Sequence, residues 1–163
     1  MAGMRRYSII MAVFVLIALI ACGQTQRGGG TPESGTIRIM PRQFESVTGI
    51  QWQLTGMTAD GKAIDLIKDT QNTISFDENG KVAGVATINR YFGGLNLQEN
   101  GDIIWNKAFG MTRMAGPPDF MAQETAFMEA LTRTSRMYLQ GSILTLVDEK
   151  ASTRLEFTRS SDN

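Results

Sequence analysis

The sequence predicts an α+β domain: a mainly antiparallel curved sheet, or small barrel, of about eight strands with one packed amphipathic helix. Three observations carry this reading. From Arg42 to Gly116 there is no proline, and short alternating apolar runs are cut by turn signals about every ten residues. The same pattern returns between Arg136 and Phe157. Only the stretch behind Pro117-Pro118 shows a helical repeat.

In chain order, the first segment reads as an address. Arg5 and Arg6 precede thirteen unbroken apolar residues, Ile9 to Ala21. As a helix that run spans about 20 Å, short of the ~30 Å hydrocarbon core, so residues 1–21 read as a signal peptide and not as a membrane span. Leu19-Ile20-Ala21-Cys22 resembles the lipobox of bacterial lipoproteins, and Cys22 is the only cysteine of the chain. A thiol is the side chain that forms the thioether to a diacylglycerol, so Cys22 is the expected lipidation site, and acyl chains in number hold a protein on a bilayer where one would not. The implied location is the cell envelope. Gly23, in place of Asp, points to the outer membrane if the cell has two. Residues 22–35 then form a flexible linker, glycine-rich and without a large apolar side chain after the cysteine. Its thirteen residues from Gly23 to Gly35 reach about 20 Å root-mean-square.

The folded domain is expected over residues 36–163, with its core about 45–158. Ile50-Gln-Trp52-Gln-Leu54 alternates as a half-buried strand does. Asp60-Gly61 turns the chain into Ala63–Leu66, and Thr73–Phe76 is closed by Asp77-Glu-Asn-Gly80 before Lys81–Val85. Asn100-Gly101 separates Leu95–Leu97 from Ile103–Trp105. Arg136–Gln140 turns through Gly141-Ser142 into Ile143–Val147, and Arg154–Phe157 follows. Between these groups, Phe120, Phe127 and Leu131 share one stripe of a helix running to Thr134, with Glu124 at its border. Proline suits the first helical turn and Asp119 its positive end. The expected place of this helix is over a sheet face or in a barrel end.

Composition removes much chemistry. The chain has 163 residues, no histidine, and 16 basic against 16 acidic residues. Without imidazole there is no Ser-His-Asp or Cys-His system, and a single cysteine builds neither a disulfide framework nor a thiolate metal cage. Zero net charge argues against a general nucleic-acid binder. No cofactor and no metal site are expected, nor is an enzyme. Acidic side chains remain: Asp77, Glu78, Glu99, Asp102, Asp119 and Glu124 would support a carboxylate-dependent hydrolase only if two met in one cleft, about 5–10 Å apart.

A set of motifs spans most of the domain. Gly80-Lys-Val-Ala-Gly84, Asn89-Arg-Tyr-Phe-Gly93, Met111-Thr-Arg-Met-Ala115 and Glu124-x-x-Phe127-x-x-Ala130-Leu131 are joined by Trp52-x-Leu54 and Gly141-x-x-Leu144-x-Leu146. In order and spacing the chain resembles the META domain family, the HslJ-like, heat-shock-associated envelope lipoproteins of bacteria, over about residues 45–158. The resemblance implies a compact α+β domain of mainly antiparallel strands with one packed helix, a fold likened to small lipid-binding barrels. It also implies a link to stress or to tolerance of hydrophobic antibiotics. Many members carry a cysteine just before the Asn-Arg-Tyr motif and another after Thr-x-Met-Ala; here those places hold Ile88 and Gly116. The two changes compensate each other, and Ile88 is expected to point inward.

Candidate binding residues are Asn89, Arg90, Tyr91, Met111, Arg113 and Met114. An arginine flanked by amide and phenol suits a carboxylate or phosphate, and methionines line adaptable apolar grooves. Each has a structural alternative: Asn89 and the glycines after Tyr91 suit turn or bulge geometry, and methionine is ordinary core filler. The expected protein is a monomer, held at the membrane by its lipid anchor, binding a hydrophobic ligand or an envelope protein. A purely structural accessory domain is the alternative.

Overall fold

A computed structural model describes residues 35–160. The expected signal segment, Cys22 and nearly all of the linker lie outside those residues. Eleven strands form one antiparallel sheet: β1 (Ile37–Arg38), β2 (Gln51–Ala59), β3 (Lys62–Ile64), β4 (Gln71–Phe76), β5 (Lys81–Thr87), β6 (Asn89–Leu97), β7 (Ile103–Trp105), β8 (Gly110–Met111), β9 (Arg136–Gln140), β10 (Ile143–Val147) and β11 (Arg154–Arg159). A 3₁₀ helix (Pro41–Val47) precedes β2, and α1 (Pro118–Arg133) lies between β8 and β9. The sheet runs β1-β9-β10-β11-β2-β4-β5-β6-β7, with β3 added to β2 and β8 to β6.

The sheet curves but no continuous ladder closes it. Its ends meet at a single bridge, Asp102 to Arg136, beside the Ile103 N–H donating to Ser135 O at 2.7 Å. Asp102 Oδ1 also accepts from Arg38 Nη2 at 2.7 Å and from Arg136 Nε at 3.4 Å, so one carboxylate pins two strands across the seam. The strands read from alternation are all present, and three further features surround them: β1, β8 and the 3₁₀ helix. Asp60-Gly61 is a two-residue turn with both φ positive, 50° and 74°, as a right-twisted hairpin requires. Asn100-Gly101 differs from the two-residue turn its sequence suggests. The loop spans 98–102, because Asn100 hydrogen-bonds Asp102 through both its amide groups.

The core is filled. Trp52, Ile74, Phe127, Met137, Leu144, Leu155 and Phe157 are fully buried, and the Trp52 indole N–H reaches Val47 O at 3.1 Å. A chain of ring contacts runs Trp105–Phe109–Tyr91–Phe127–Phe157, with centroids 5.9 to 6.5 Å apart. At the β10–β11 turn, burial raises the Asp148 carboxyl, but hydrogen bonds from the Thr153 N–H and the Ser152 hydroxyl outweigh it and hold the group below its ordinary range.

The β6–β8 pair is built from two reciprocal aromatic–glycine contacts. Phe92 lies opposite Gly110, and a Cβ on Gly110 would meet the Phe92 ring at 2.2 Å. A Cβ on Gly93 would meet the Phe109 ring at 2.5 Å. Each ring covers the bare backbone of the other strand, which is how a two-residue strand holds its register. Gly93→Ala and Gly110→Ala are each expected to lower the unfolding free energy by about 1–3 kcal/mol in urea titrations, because the methyl must displace a ring. An unchanged midpoint in both would show that the rings do not depend on these glycines.

Candidate functional site

Three of the sequence motifs converge where α1 meets the sheet. The connection from β5 to β6 is as short as a chain allows: Ala86 pairs with Asn89, and the Ile88 N–H donates to Ala86 O at 2.6 Å around Thr87, whose φ is 59°. Positive φ in a β-branched residue is strained. Here the Thr87 hydroxyl is held by Asn72 Oδ1 at 2.9 Å and by Gln123 Nε2 at 3.0 Å. Asn89 therefore opens a strand, and the positive-φ turn expected of it falls two residues earlier.

Asn89 is 2% exposed and makes every hydrogen bond it can. Its Oδ1 accepts from Thr112 Oγ1 and from the Met114 N–H, both at 2.8 Å. Its Nδ2 donates to Met114 O at 3.2 Å and to Glu124 Oε1 at 2.9 Å, while its backbone N–H donates to Glu124 Oε2 at 2.8 Å. An amide has two donor and two acceptor places, so none is left for a ligand. Glu124 is 6% exposed and sits beneath the helix rather than at its border. Gln123 next to it accepts from the Ile67 N–H at 2.6 Å and donates to Thr70 Oγ1 at 2.9 Å.

Strand alternation separates the other motif residues. Tyr91 points into the core, its hydroxyl donating to Thr73 O at 2.8 Å, and burial pushes its phenol far above the ordinary range. The ring passes beneath Gly84, where a Cβ would meet Thr73 O at 2.0 Å and the ring at 2.8 Å. Arg90, between these two inward residues, is exposed on the opposite face. Ile88 and Gly116 do meet: a Cβ on Gly116 would strike Ile88 Cδ1 at 2.0 Å. The half-buried isoleucine thus occupies the space of the missing side chain.

Four of the six candidates, Asn89, Met111, Arg113 and Met114, line one open groove of about 730 Å³ between the chain following β8 and the first half of α1. Phe109, Met121 and Glu124 complete its walls. Met114 is 52% exposed, and Arg113 makes no ion pair among the described residues. Thr112 and Glu124, the residues that shape the groove, carry the weakest signal in sequence. Glu124 is marked in the sequence by its place in the Glu124-x-x-Phe127 motif and by being one carboxylate on an apolar helix face, and neither shows that it is buried.

The other carboxylates are scattered. Asp77 accepts the Asn79 and Lys81 N–H groups of its own turn, and Asp102 is committed to two arginines. Glu78 shares a shallow groove of about 370 Å³ with Glu45, both exposed. Among the described residues, no cluster of three Cys, Asp or Glu is placed to hold a metal ion, and no helix is long and apolar enough to cross a membrane.

The META domain model matches residues 45–162. A protein from Burkholderia xenovorans, solved by NMR, superposes with a TM-score of 0.62 at 24% identity, over 82% of this chain and 99% of its own. A second protein solved by NMR gives a TM-score of 0.52 at 25% identity, covering 74% of this chain and 94% of its own. No curated relative matches.

Two stability tests follow from the Asn89 network. Asn89→Ala and Glu124→Ala are each expected to cost about 1–3 kcal/mol in denaturant melts, because each strands buried partners. Asn89→Asp is expected to cost more at neutral pH and to recover as the solution is acidified. It sets two carboxylates side by side, so the folded-state pKa of the pair rises and the penalty is lost when one takes a proton. A deficit for Asn89→Asp that is flat with pH would contradict the contact. Separately, Gly116→Ala should destabilise the native protein but do far less harm beside Ile88→Ala, a coupling of about 1–3 kcal/mol in a double-mutant cycle. Simple additivity would show that the two positions do not touch.

Proposed function

The chain belongs to the META domain family, and on that premise we propose that it is a lipid-anchored, non-enzymatic binding domain of the bacterial envelope that takes an apolar segment of a partner protein in the groove beside α1. One observation carries this reading. Three methionines, Met111, Met114 and Met121, border an open groove, while the large apolar side chains of the core are buried. Methionine is flexible and polarisable and adapts to varied apolar surfaces. A ligand-carrying barrel needs an internal cavity. Here the apolar side chains that remain accessible are on the outside, which favours a protein-facing role over enclosure of a lipid.

Arg113 gives the groove a polarity. Arg113 lines the groove with Met111 and Met114 and forms no ion pair among the described residues, while Glu124 in the same wall is held by Asn89, so an apolar segment carrying an acidic residue or a chain-terminal carboxylate fits it best. Anchoring through Cys22 supports the same reading from the sequence side: a tethered domain meets envelope partners at high local concentration, so a shallow groove suffices. The physiological setting proposed is envelope stress or tolerance of hydrophobic antibiotics.

Cys22→Ala is expected to release the mature domain from membranes or to leave it unprocessed, as read by cell fractionation and intact mass. A normal mature mass with unchanged membrane attachment would reject the anchor. In a strain lacking the gene, Arg113→Glu with Met114→Asp is expected to accumulate at the native level, yet to leave sensitivity to hydrophobic antibiotics uncorrected. Complete restoration by that variant would remove the groove from the function.

A further inference from the structure

The outer face of the β5–β6–β7 region carries a second surface, on the side of the sheet away from α1. Val82 and Ala86 of β5 and Asn89, Tyr91 and Leu95 of β6 are buried, so alternation turns Lys81, Ala83, Val85, Arg90 and Phe92 outward. The register sets Ala83 opposite Phe92, Val85 opposite Arg90, and Lys81 opposite Gly94. Farther along the same face, β7 places Ile104 opposite Asn96. Phe92 is 63% exposed and Ile104 56%, the two largest exposures among the big apolar side chains.

The charge on this half of the sheet has one sign. Strands β4 to β8 contain no aspartate or glutamate. Lys81, Arg90 and Lys107 form no ion pair among the described residues, whereas the cations that do, Arg38, Arg133, Arg136 and Arg154, all lie outside Lys81–Arg113. The acidic residues between these strands sit in turns: Asp77 and Glu78 before Lys81, with Asp77 accepting N–H groups of its own turn, and Glu99 and Asp102 in or beside the β6–β7 turn, with Asp102 already bound to two arginines. An apolar surface edged by unpaired cations is complementary to a layer of anionic headgroups over hydrocarbon.

We propose that this face rests on the anionic surface of the bilayer that holds the chain, with Phe92 and Ile104 among the headgroups and Lys81 and Arg90 on lipid phosphates. The chain outside the described residues supports this occupant. An apolar run and Cys22 precede a glycine-rich stretch of thirteen residues, so on the anchored reading the bilayer is the domain's nearest neighbour. The face is small, and tethering makes a weak surface contact effective. The proposal takes the bilayer's presence from the anchored reading above. The affinity of the face does not depend on the acyl chains, so the two can fail separately.

The test uses the chain from Gly23 onward, which lacks any acylation site; the described core is enclosed between Ile39 and Phe157, so this chain keeps its own packing. It is mixed with vesicles of phosphatidylglycerol and phosphatidylcholine, or of phosphatidylcholine alone, and bound protein is read by flotation. Binding is expected on the anionic vesicles at low ionic strength, with loss at high salt and little on the neutral ones. Lys81→Glu with Arg90→Glu should weaken the partition at least about twentyfold, each cation near such a surface counting for about fivefold. Ile104→Ser should weaken it severalfold, with an unchanged fold confirmed by its melting curve. Lys62→Glu with Lys150→Glu makes the same change in net charge elsewhere on exposed surface and should bind as the native chain does. Equal loss in both double variants, or no binding to anionic vesicles at low salt, would overturn the proposal. Release of the full-length chain by Cys22→Ala bears only on the anchor.

Discussion

The hydrogen bonds between Glu124 and Asn89 determine how the helix and sheet of this domain fit together. A carboxylate beneath a helix is expensive to bury, and it is tolerated when neighbouring donors satisfy it. Asn89 supplies two donors at once, its backbone N–H and its Nδ2, to the two oxygens of the same group. The other side of the amide holds Thr112 and Met114. One asparagine therefore joins three elements that are distant in sequence. Aspartate would oppose Glu124, and glutamine would carry the amide one methylene too far.

The groove follows from that constraint. The chain after β8 has only two residues of regular pairing, so its position depends on what receives it. The amide of Asn89 fixes Met114, the Thr112 hydroxyl accepts the Arg90 N–H at 3.1 Å, and the Phe92 and Phe109 rings cover the facing glycines. The backbone from Phe109 to Ala115 is thus held on both sides. Its methionine and arginine side chains are left at the surface, a rigid strip carrying adaptable groups. Gln123 extends the arrangement by tying the 67–70 loop and the strained Thr87 to the same helical turn.

The strands were legible because alternation and turn chemistry are local. Trp52 and Leu54, Ile74 and Phe76, and Leu144 and Leu146 declare an inward face within a few residues, and Asp60-Gly61 and Gly141-Ser142 suit the positive φ their turns adopt. β1 and β8 have two residues each and no pattern of their own, so their pairing is a tertiary event. The Asn-Arg-Tyr motif divides for a related reason. Read as a cluster, it groups amide, guanidinium and phenol. As a strand, it sends Asn89 and Tyr91 inward and Arg90 outward, and only Asn89 reaches the groove. Glu124 looked like a border residue because helical periodicity reports where apolar groups fall, and it cannot show that a polar group is buried with its donors.

Net charge concealed as much as it revealed. Equal numbers of acidic and basic residues exclude a strongly electrostatic polymer binder, yet a sum says nothing about position. At the seam, two arginines share Asp102, which offsets one of their two charges at contact distance. On β5 and β6, Lys81 and Arg90 stand beside alanine, valine and phenylalanine and form no ion pair among the described residues, so their field extends about a Debye length, ~8–10 Å, into solvent. That range matters little to a freely diffusing protein at physiological salt. On the proposed anchoring it would matter greatly, because a tether would supply the approach and the face would need only to set the orientation.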